Sequence, residues 1–595
     1  MAATETFHVV MIKPTHYDPD GYPIQWTRSV MPSNTLAAIN ALLADCAARG
    51  VLGEGVEIAP QAIDETNTRV RPDRIIRRIR AEGGRAFVMF VGVQTNQFPR
   101  ATDLAQPFLK AGLPVAFGGF HVSGCKAMLD DQPPEIVAAQ AQGISMFAGE
   151  LEEHRLDEVL RDAYAGTLKP EYDYLNALPS LEGAPTPFLD VSTIGKTIAN
   201  YTSFDLGRGC PYQCSFCTII NVQGRKSRFR SPDDLEAIIR ANFAQGVHKF
   251  FITDDDLARN KNWEALFDRL IHLREVEGHT IRLTVQVDMA CHKIPGFIDK
   301  ACRAGVERVF MGLENINPDN LVAANKRQNK ITDYRAMIQH WRKYGATIIA
   351  GYILGFPNDT PETITRDIKI IQEELPIDIL HFSVLTPLPG SADHKKLLAE
   401  GVWMDPDPNK YDVCQRVTHH GTMSDADWDQ AFHDAWFTFY TPEHMERICR
   451  RSAAQKKKGV NLNEVLEVFL AYKLDGVHPM EGGFLRRMHR RDRRPSLPRE
   501  HPLVFYPRYW ARTARNLAVL GWGVWRANRL QKRIFADPGR YDYIDLATTP
   551  PDAEEHDRLA LFQDTSGGRD AVRRERVIDR AREKAVAEFK LPAAE

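Results

Sequence analysis

Gly207-Arg208-Gly209-Cys210-Pro211-Tyr212-Gln213-Cys214-Ser215-Phe216-Cys217 holds three of the chain's nine cysteines within eight residues. The spacing is C-x3-C-x2-C, and the stretch directly follows an apolar run at 203–206 that reads as a strand. Thiolates are soft ligands that select iron–sulfur clusters or zinc. A closed zinc site takes four ligands, commonly as paired C-x2-C units, and the sequence offers no second pair. Three cysteines on a four-iron cluster leave one iron without a protein ligand, open to a molecule that brings an amine and a carboxylate. An odd, uneven cysteine count speaks against a disulfide framework. Cys46, Cys125, Cys291, Cys302, Cys414 and Cys449 are isolated and read as small core residues.

Downstream, apolar runs at 249–252, 282–287, 308–311, 347–353 and 381–385 read as further strands. Helical patterns at 232–244, 263–275, 294–304, 333–344 and 361–374 lie between them. An eight-fold barrel takes about 250 residues, so six strand–helix steps predict an open, partial (β/α)6 barrel. Polar residues gather at the strand ends, where a barrel site must lie: Asp254-Asp255-Asp256, then Gln286 and Asp288, then Glu314. A single acid there is often only a helix cap; the set says more than any member.

Upstream, strands at 8–12, 56–63, 87–93, 114–117 and 144–147 alternate with helices such as 34–48 and 72–81. That alternation predicts a doubly wound parallel sheet covered on both faces, with ligands beyond the carboxyl ends of its strands. The dinucleotide fingerprint G-x-G-x-x-G is missing after the first strand, which weakens a nicotinamide reading. A Pro-rich stretch separates sheet and barrel. The expected division is 1–165 for the sheet domain, 166–198 for the linker, 199–398 for the barrel and 399–595 for a mainly α-helical C-terminal region.

The triplet, with an aromatic (Phe216) just before its last cysteine, resembles the signature of the radical S-adenosylmethionine (radical SAM) enzymes. Met311-Gly312-Leu313-Glu314 resembles that family's G-L-E segment, Gly355-Phe356-Pro357-Asn358-Asp359-Thr360 its G-x-P-x-x-T turn, and Pro387-Leu388-Pro389-Gly390 its P-x-P-G. The resemblance implies that Cys210, Cys214 and Cys217 are the metal-ligating, catalytic residues and hold a 4Fe-4S cluster. The open iron would chelate S-adenosylmethionine, whose cleavage gives a 5′-deoxyadenosyl radical. It also implies cofactor-binding roles for Phe216, Asp254, Asp256, Gln286, Asp288 and Glu314.

The N-terminal sheet looks like the cobalamin-binding domain of the cobalamin-dependent members. Gly118-Gly119-Phe120-His121-Val122-Ser123 resembles their G-G-x-H-x-S turn and Gly149-Glu150 their G-E turn. Gly118, Gly119, Ser123, Gly149 and Glu150 are the implied cobalamin contacts, with 92–95 beside them. The D-x-H-x-x-G motif, whose histidine ligates cobalt in many cobalamin proteins, is absent, as in several radical members of the family. His16 in the first loop reads as a surface histidine rather than a substitute ligand.

The chain has 595 residues and a mass of 67.4 kDa, so about four domains are expected. Its 76 Lys and Arg balance 78 Asp and Glu, a net charge of −2 that speaks against nucleic acid as a partner. No run approaches a membrane-spanning length of about 20 apolar residues, and the N-terminus lacks the basic and apolar regions of a secretory signal. A cytoplasmic protein is expected. Between 486 and 533 lie thirteen arginines together with Trp510, Trp522 and Trp525. This mixture suits a packed helix with arginine stems laid along it, and also peripheral contact of 484–535 with the inner face of a membrane. The charged stretch 570–589 reads as a solvated helix.

The two resemblances together imply a cobalamin-dependent radical SAM enzyme, most simply a C-methyltransferase acting on an unactivated carbon. Its substrate would be a small molecule, with a lipid or isoprenoid favoured if 484–535 meets a membrane. Its electrons would come from a donor such as flavodoxin or ferredoxin. A radical cyclase or rearrangement enzyme of the tetrapyrrole oxidative-cyclase type is the first alternative, separable by product mass. A non-catalytic cobalamin or redox sensor is the second. A transfer-RNA methylthiotransferase would bring extra upstream cysteines, which the spacing lacks.

Overall fold

The chain enters the fold through β1 (Glu5–Lys13), whose central six residues are buried; β2 (Gln25–Ser29) then stands outside the main sheet. In this computed structural model, residues 5–455, 459–552, 554–565 and 567–589 are described. β1 pairs with β3 (Val56–Asp64) on one side and β4 (Ala86–Phe90) on the other; β5 (Val115–Gly118), β6 (Ile144–Ala148) and β7 (Glu171–Asp173) follow. All five pairings are parallel. Every residue of β4 and β6 is buried, as a sheet covered on both faces requires. Strand order reverses between β1 and β4, which makes their carboxyl ends the topological switch point where such sheets take ligands.

The five strands expected here are present, and β7 adds a sixth from inside the Pro-rich segment 166–198. Of its three residues, Glu171-Tyr172-Asp173, only Tyr172 is buried. An edge strand that short leaves no periodicity to read.

The barrel is the expected open one. β8 (Tyr201–Phe204) leads into a small antiparallel pair, β9 (Gly207–Arg208) and β10 (Arg228–Phe229), which brackets the cysteine loop. β11 (Lys249–Ile252), β12 (Arg282–Val287), β13 (Val306–Glu314), β14 (Thr347–Leu354) and β15 (Ile379–Val384) complete a six-stranded parallel sheet in sequential order. Helices Pro232–Ala244 and Pro361–Glu374 begin where the sequence places them, because Ser231 and Thr360 close capping boxes just ahead of a proline at the first turn. The helix expected over 294–304 starts later, at Phe297, after Gly296 in a left-handed conformation.

The C-terminal region is mainly helical: Asp425–Phe439, Pro442–Ala453, Leu462–Asp475, Pro502–Phe535 and Gly568–Phe589. Trp436 stacks on Tyr472 at 4.8 Å to join the first and third of these. One strand interrupts it: β16 (Gly483–Arg487) pairs antiparallel with β2. Neither partner alternates clearly. Their pairing is set by Trp26, which packs against Gly483 and donates its indole N–H to the Glu481 carbonyl at 2.8 Å.

Candidate active site

Hydrogen bonds hold the cysteine loop within its own segment and to the segments that follow β13 and β15. Ser215 N–H donates to the Ala324 carbonyl at 3.0 Å, the Cys210 N–H donates to Gly224 at 3.2 Å, and Asn221 donates to the Gly390 carbonyl at 2.9 Å. Gly209 sits at φ +91°, and a Cβ there would lie 2.6 Å from the Lys226 carbonyl, so only glycine fits. Burial pushes the Cys210 thiol up to about 12 and the Cys217 thiol up to about 11. Each also feels a neighbouring cysteine, Cys210 feeling Cys217 and Cys217 feeling Cys214. Metal binding must therefore displace protons from these thiols.

Among the described residues, no three His, Cys, Asp or Glu side chains are gathered as a single metal ion needs. Three thiols on one loop, in mutual electrostatic contact and without a fourth donor, fit a cluster with a vacant corner better than a lone zinc ion. A cation stands ready beside them. Lys326 is buried, pairs with Glu314, and lies 5.8 Å from the centre of the Phe216 ring. It keeps its proton against burial because Glu314 and Cys214 face it. Gln328 donates to the Cys214 sulfur at 3.4 Å. Glu314 reaches Lys326 from a bulge in β13, where its own φ is +60°.

The strand-end acids form two groups. Asp254 is buried and accepts from the Leu206 N–H at 2.6 Å and from Asn260 at 3.0 Å, while Asp255 accepts from the Gly209 N–H at 3.2 Å. Burial pushes both carboxyls up to about 7. Asp256 and Asp288 form the second group. The Asp288 N–H donates to Asp256 at 3.2 Å, and Asp288 is clamped by Arg259 at 2.5 and 3.0 Å and by the Tyr212 hydroxyl at 3.1 Å. Burial and the Asp288 charge drive Asp256 well above the ordinary carboxylate range; against burial, Arg259 holds Asp288 low. Tyr212 belongs to the cysteine loop, so this group ties the loop to the end of β12. Gln286 donates to the Asp254 carbonyl at 3.4 Å and joins the two groups.

On the sheet side, Gly119 has φ +148°, and a Cβ there would fall 2.2 Å from the Val93 nitrogen. Gly149 is close-packed on Tyr174 and donates its N–H to the Ser123 hydroxyl at 3.1 Å. Gly118, Gly119, Ser123, Gly149 and Glu150 line one pocket at the carboxyl ends of β5 and β6. Glu150 is engaged by two arginines, Arg208 at 2.6 Å and Arg228 at 2.5 Å, which reach across from the barrel.

Between the two sheets lies a cavity of about 460 Å³. Asn34, Gln94, Thr95 and Asn96 wall it from the N-terminal domain, and Gly207, Arg208, Thr253 and Asp255 wall it from the barrel; Asp412, His478 and Glu481 close it from the C-terminal region. Asn34 Oδ1, Asn96 Oδ1 and Thr253 Oγ1 are buried without a hydrogen-bond partner. Orphaned acceptors and hydroxyls of this kind, beside the Gly119 turn, fit a large ligand rich in amides such as cobalamin.

His16 is not at the surface as expected. Asn409 binds the Tyr17 backbone at both its N–H (2.9 Å) and its carbonyl (2.8 Å), which folds the loop inward. His16 is thereby buried beside Asp412 (3.8 Å) and Glu481 (3.6 Å), and burial drops its imidazole to about 4. Lys326, Arg208, Asn96, Asp412 and Glu481 were not singled out by the sequence. Only Arg208 carried a signal, its place inside the cysteine loop.

An open parallel barrel with a three-thiol loop after its first strand defines a class: enzymes that hold an incompletely ligated iron–sulfur cluster at a barrel mouth. Residues 205–371 match the Radical SAM superfamily, so this segment is a radical SAM domain. The bacteriochlorophyllide d C-8(2)-methyltransferase of Chlorobaculum tepidum is 29% identical over 344 residues, covering 54% of this chain and 71% of that protein. The hopanoid C-2 methylase of Rhodopseudomonas palustris is 25% identical over 366 residues, covering 61% and 67%. Among solved structures, the radical SAM methyltransferase TsrM from Kitasatospora setae, with cobalamin and a 4Fe-4S cluster bound, superposes with a TM-score of 0.55. It shares 16% identity and covers 77% of this chain and 98% of that one. At that identity the likeness speaks for the fold.

Proposed function

We propose that the protein is a cobalamin-dependent radical SAM C-methyltransferase that modifies an unactivated carbon of a small molecule. The observation that carries this reading is the cavity between the sheets, walled on one side by the flanks of the cysteine loop and on the other by the switch point of the N-terminal sheet. When bound, the cluster with S-adenosylmethionine supplies a hydrogen-abstracting radical and cobalamin supplies a methyl carrier. The chain's own residues bind and orient. Cys210, Cys214 and Cys217 hold the cluster, Lys326 offsets its negative charge, and the groups around Asp254 and Asp288 position the loop and the cofactor beside it. Asn34, Asn96 and Thr253 offer polar contacts to the corrin amides, and Gly119 lets the ligand approach the backbone. Arg208 and Arg228, held by Glu150, close the seam and keep bulk water from the reacting carbon.

Both relatives named above are methyltransferases or methylases, and the hopanoid enzyme favours a lipid or isoprenoid among the substrates considered. Pro211 and Gln213 stand exposed on the cysteine loop and leave it a face for a flavodoxin or ferredoxin donor. Among the described residues no helix is long and apolar enough to cross a membrane. We place the protein in the cytoplasm, in peripheral contact with the inner membrane face through 484–535.

Anaerobic reconstitution tests the reading. Wild-type protein should bind iron and cobalamin, release 5′-deoxyadenosine and add one CH2 to its product. Cys214→Ala should lose the cluster absorbance and at least 100-fold of deoxyadenosine formation, on the order expected when a catalytic group is removed. Retained cleavage in that variant would remove the assignment, and a product without added mass would move it to the cyclase class.

A further inference from the structure

Helix Pro502–Phe535 runs for about 51 Å at 1.5 Å per residue, yet only one of its faces packs, through Phe505, Ala527 and Ile534. The opposite face carries Leu503, Trp510, Leu517, Trp522 and Trp525, which are 78%, 62%, 44%, 59% and 56% exposed. Their spacing of seven, seven, five and three residues keeps them on one side of the helix, and the residues between them on that side are Pro507, Ala511, Ala514, Ala518 and Gly521. Water therefore meets an apolar stripe unbroken by charge. Single exposed apolar residues are ordinary, but a stripe with three indoles is not.

The charge on this helix is one-sided. It has seven Arg and Lys and no Asp or Glu. Arg508, Arg515, Arg526 and Arg533, spaced by seven, eleven and seven, run along one flank of the stripe. Arg526 and Arg529 lie on the Trp522 and Trp525 rings at 4.7 and 5.5 Å rather than on carboxylates. Arg508 and Arg533 pair with Glu500 and Glu446 at 2.7 and 3.3 Å, whereas Arg515, Arg526 and Arg529 meet no carboxylate among the described residues. Exposed indoles beside these arginines match the boundary between acyl chains and anionic headgroups, where a helix lies in the plane of the bilayer.

We propose that this face docks the protein on an anionic lipid bilayer, with Trp510, Trp522 and Trp525 at the headgroup level and the arginine flank over the phosphates. The proposal rests on the membrane contact proposed above and gives it a surface and a lipid charge. The docking helix is tied to the cavity. Met480 and Glu481 line the cavity, β16 follows them, and the Tyr509 hydroxyl donates to the Arg486 carbonyl at 3.4 Å. An apolar substrate held in the bilayer is thus brought near one wall of that cavity.

The test is co-sedimentation of the full-length protein with vesicles of phosphatidylcholine alone and of phosphatidylcholine with one quarter phosphatidylglycerol. The expected result is binding to the anionic vesicles, at least ten-fold weaker on phosphatidylcholine alone or in 0.5 M NaCl (on the order that screening of several lysine- and arginine-scale contacts implies). Trp522→Ser/Trp525→Ser and Arg526→Glu/Arg529→Glu should each lose binding similarly, while 5′-deoxyadenosine formation without vesicles stays at the wild-type level. Variants that bind like wild type overturn the proposal, as does a wild type that binds neither vesicle. A dimer that the tryptophan variant turns into a monomer, with no vesicle binding, would also overturn it and assign the stripe to a second copy. Because deoxyadenosine is measured without lipid, failure of docking leaves the enzyme assignment standing, and failure of that assay leaves docking standing.

Discussion

The residues that the sequence singles out are those whose chemistry is local. Three thiols within eight residues declare themselves, as do paired glycines after a buried strand. Residues that act across the chain do not. Lys326 reaches the cysteine loop from more than a hundred residues away, and Glu481 meets His16 and Asn96 only because three regions converge on one cavity. Glu481 also carries a pH signature. Burial pushes its carboxyl up from 4.5 to about 7, so the folded protein holds that proton more tightly than the unfolded chain does. Its stability contribution is full below about pH 4.5 and is lost as pH rises through about 7. Glu481→Gln should therefore melt higher than wild type at pH 8 and alongside it at pH 4.5. Thermal denaturation at the two pH values reads this directly, and an equal difference at both would show that burial is not the cause.

At the scale of elements, long helices with capped starts were legible to the residue, because Ser231 and Thr360 satisfy backbone donors that the sequence displays. β7, β2 and β16 were not, since strands of three to five residues at an edge or in a two-stranded ribbon take their conformation from a partner. One contact between elements is diagnostic. Helix Phe120–Met128 sets Gly124 against the loop after β15, where an added Cβ would lie 2.8 Å from the Pro389 carbonyl and 2.9 Å from Gly390 Cα. Gly124→Val should cost about 1–3 kcal/mol by overpacking, and the strain falls on the seam between the two sheets. Proteolysis within 166–198 should quicken and cobalamin retention should fall, while iron loading stays at the wild-type level. Cleavage and cobalamin content unchanged from wild type would show that the seam tolerates the side chain.

At the scale of the molecule, alternating strands and helices made both parallel sheets legible, and the open barrel followed from counting its steps. How the sheets face each other was not legible. It is fixed by Arg208 joining Asp205 of the barrel to Glu150 and Glu152 of the N-terminal domain, by Arg228 on the same Glu150, and by the glycine contact at Gly124. Buried arginine–carboxylate pairs select one arrangement more than they add net stability. The whole assignment depends on that arrangement setting the flanks of the three-thiol loop, which would hold a cluster with a vacant iron, in the cavity wall. The most direct measurement is the electron paramagnetic resonance spectrum of the anaerobically reconstituted, reduced protein before and after addition of S-adenosylmethionine. The account predicts a 4Fe-4S signal whose g-values move when the added amine and carboxylate take the open corner. A signal that the addition leaves unchanged, or a protein that holds zinc in that loop, would contradict it.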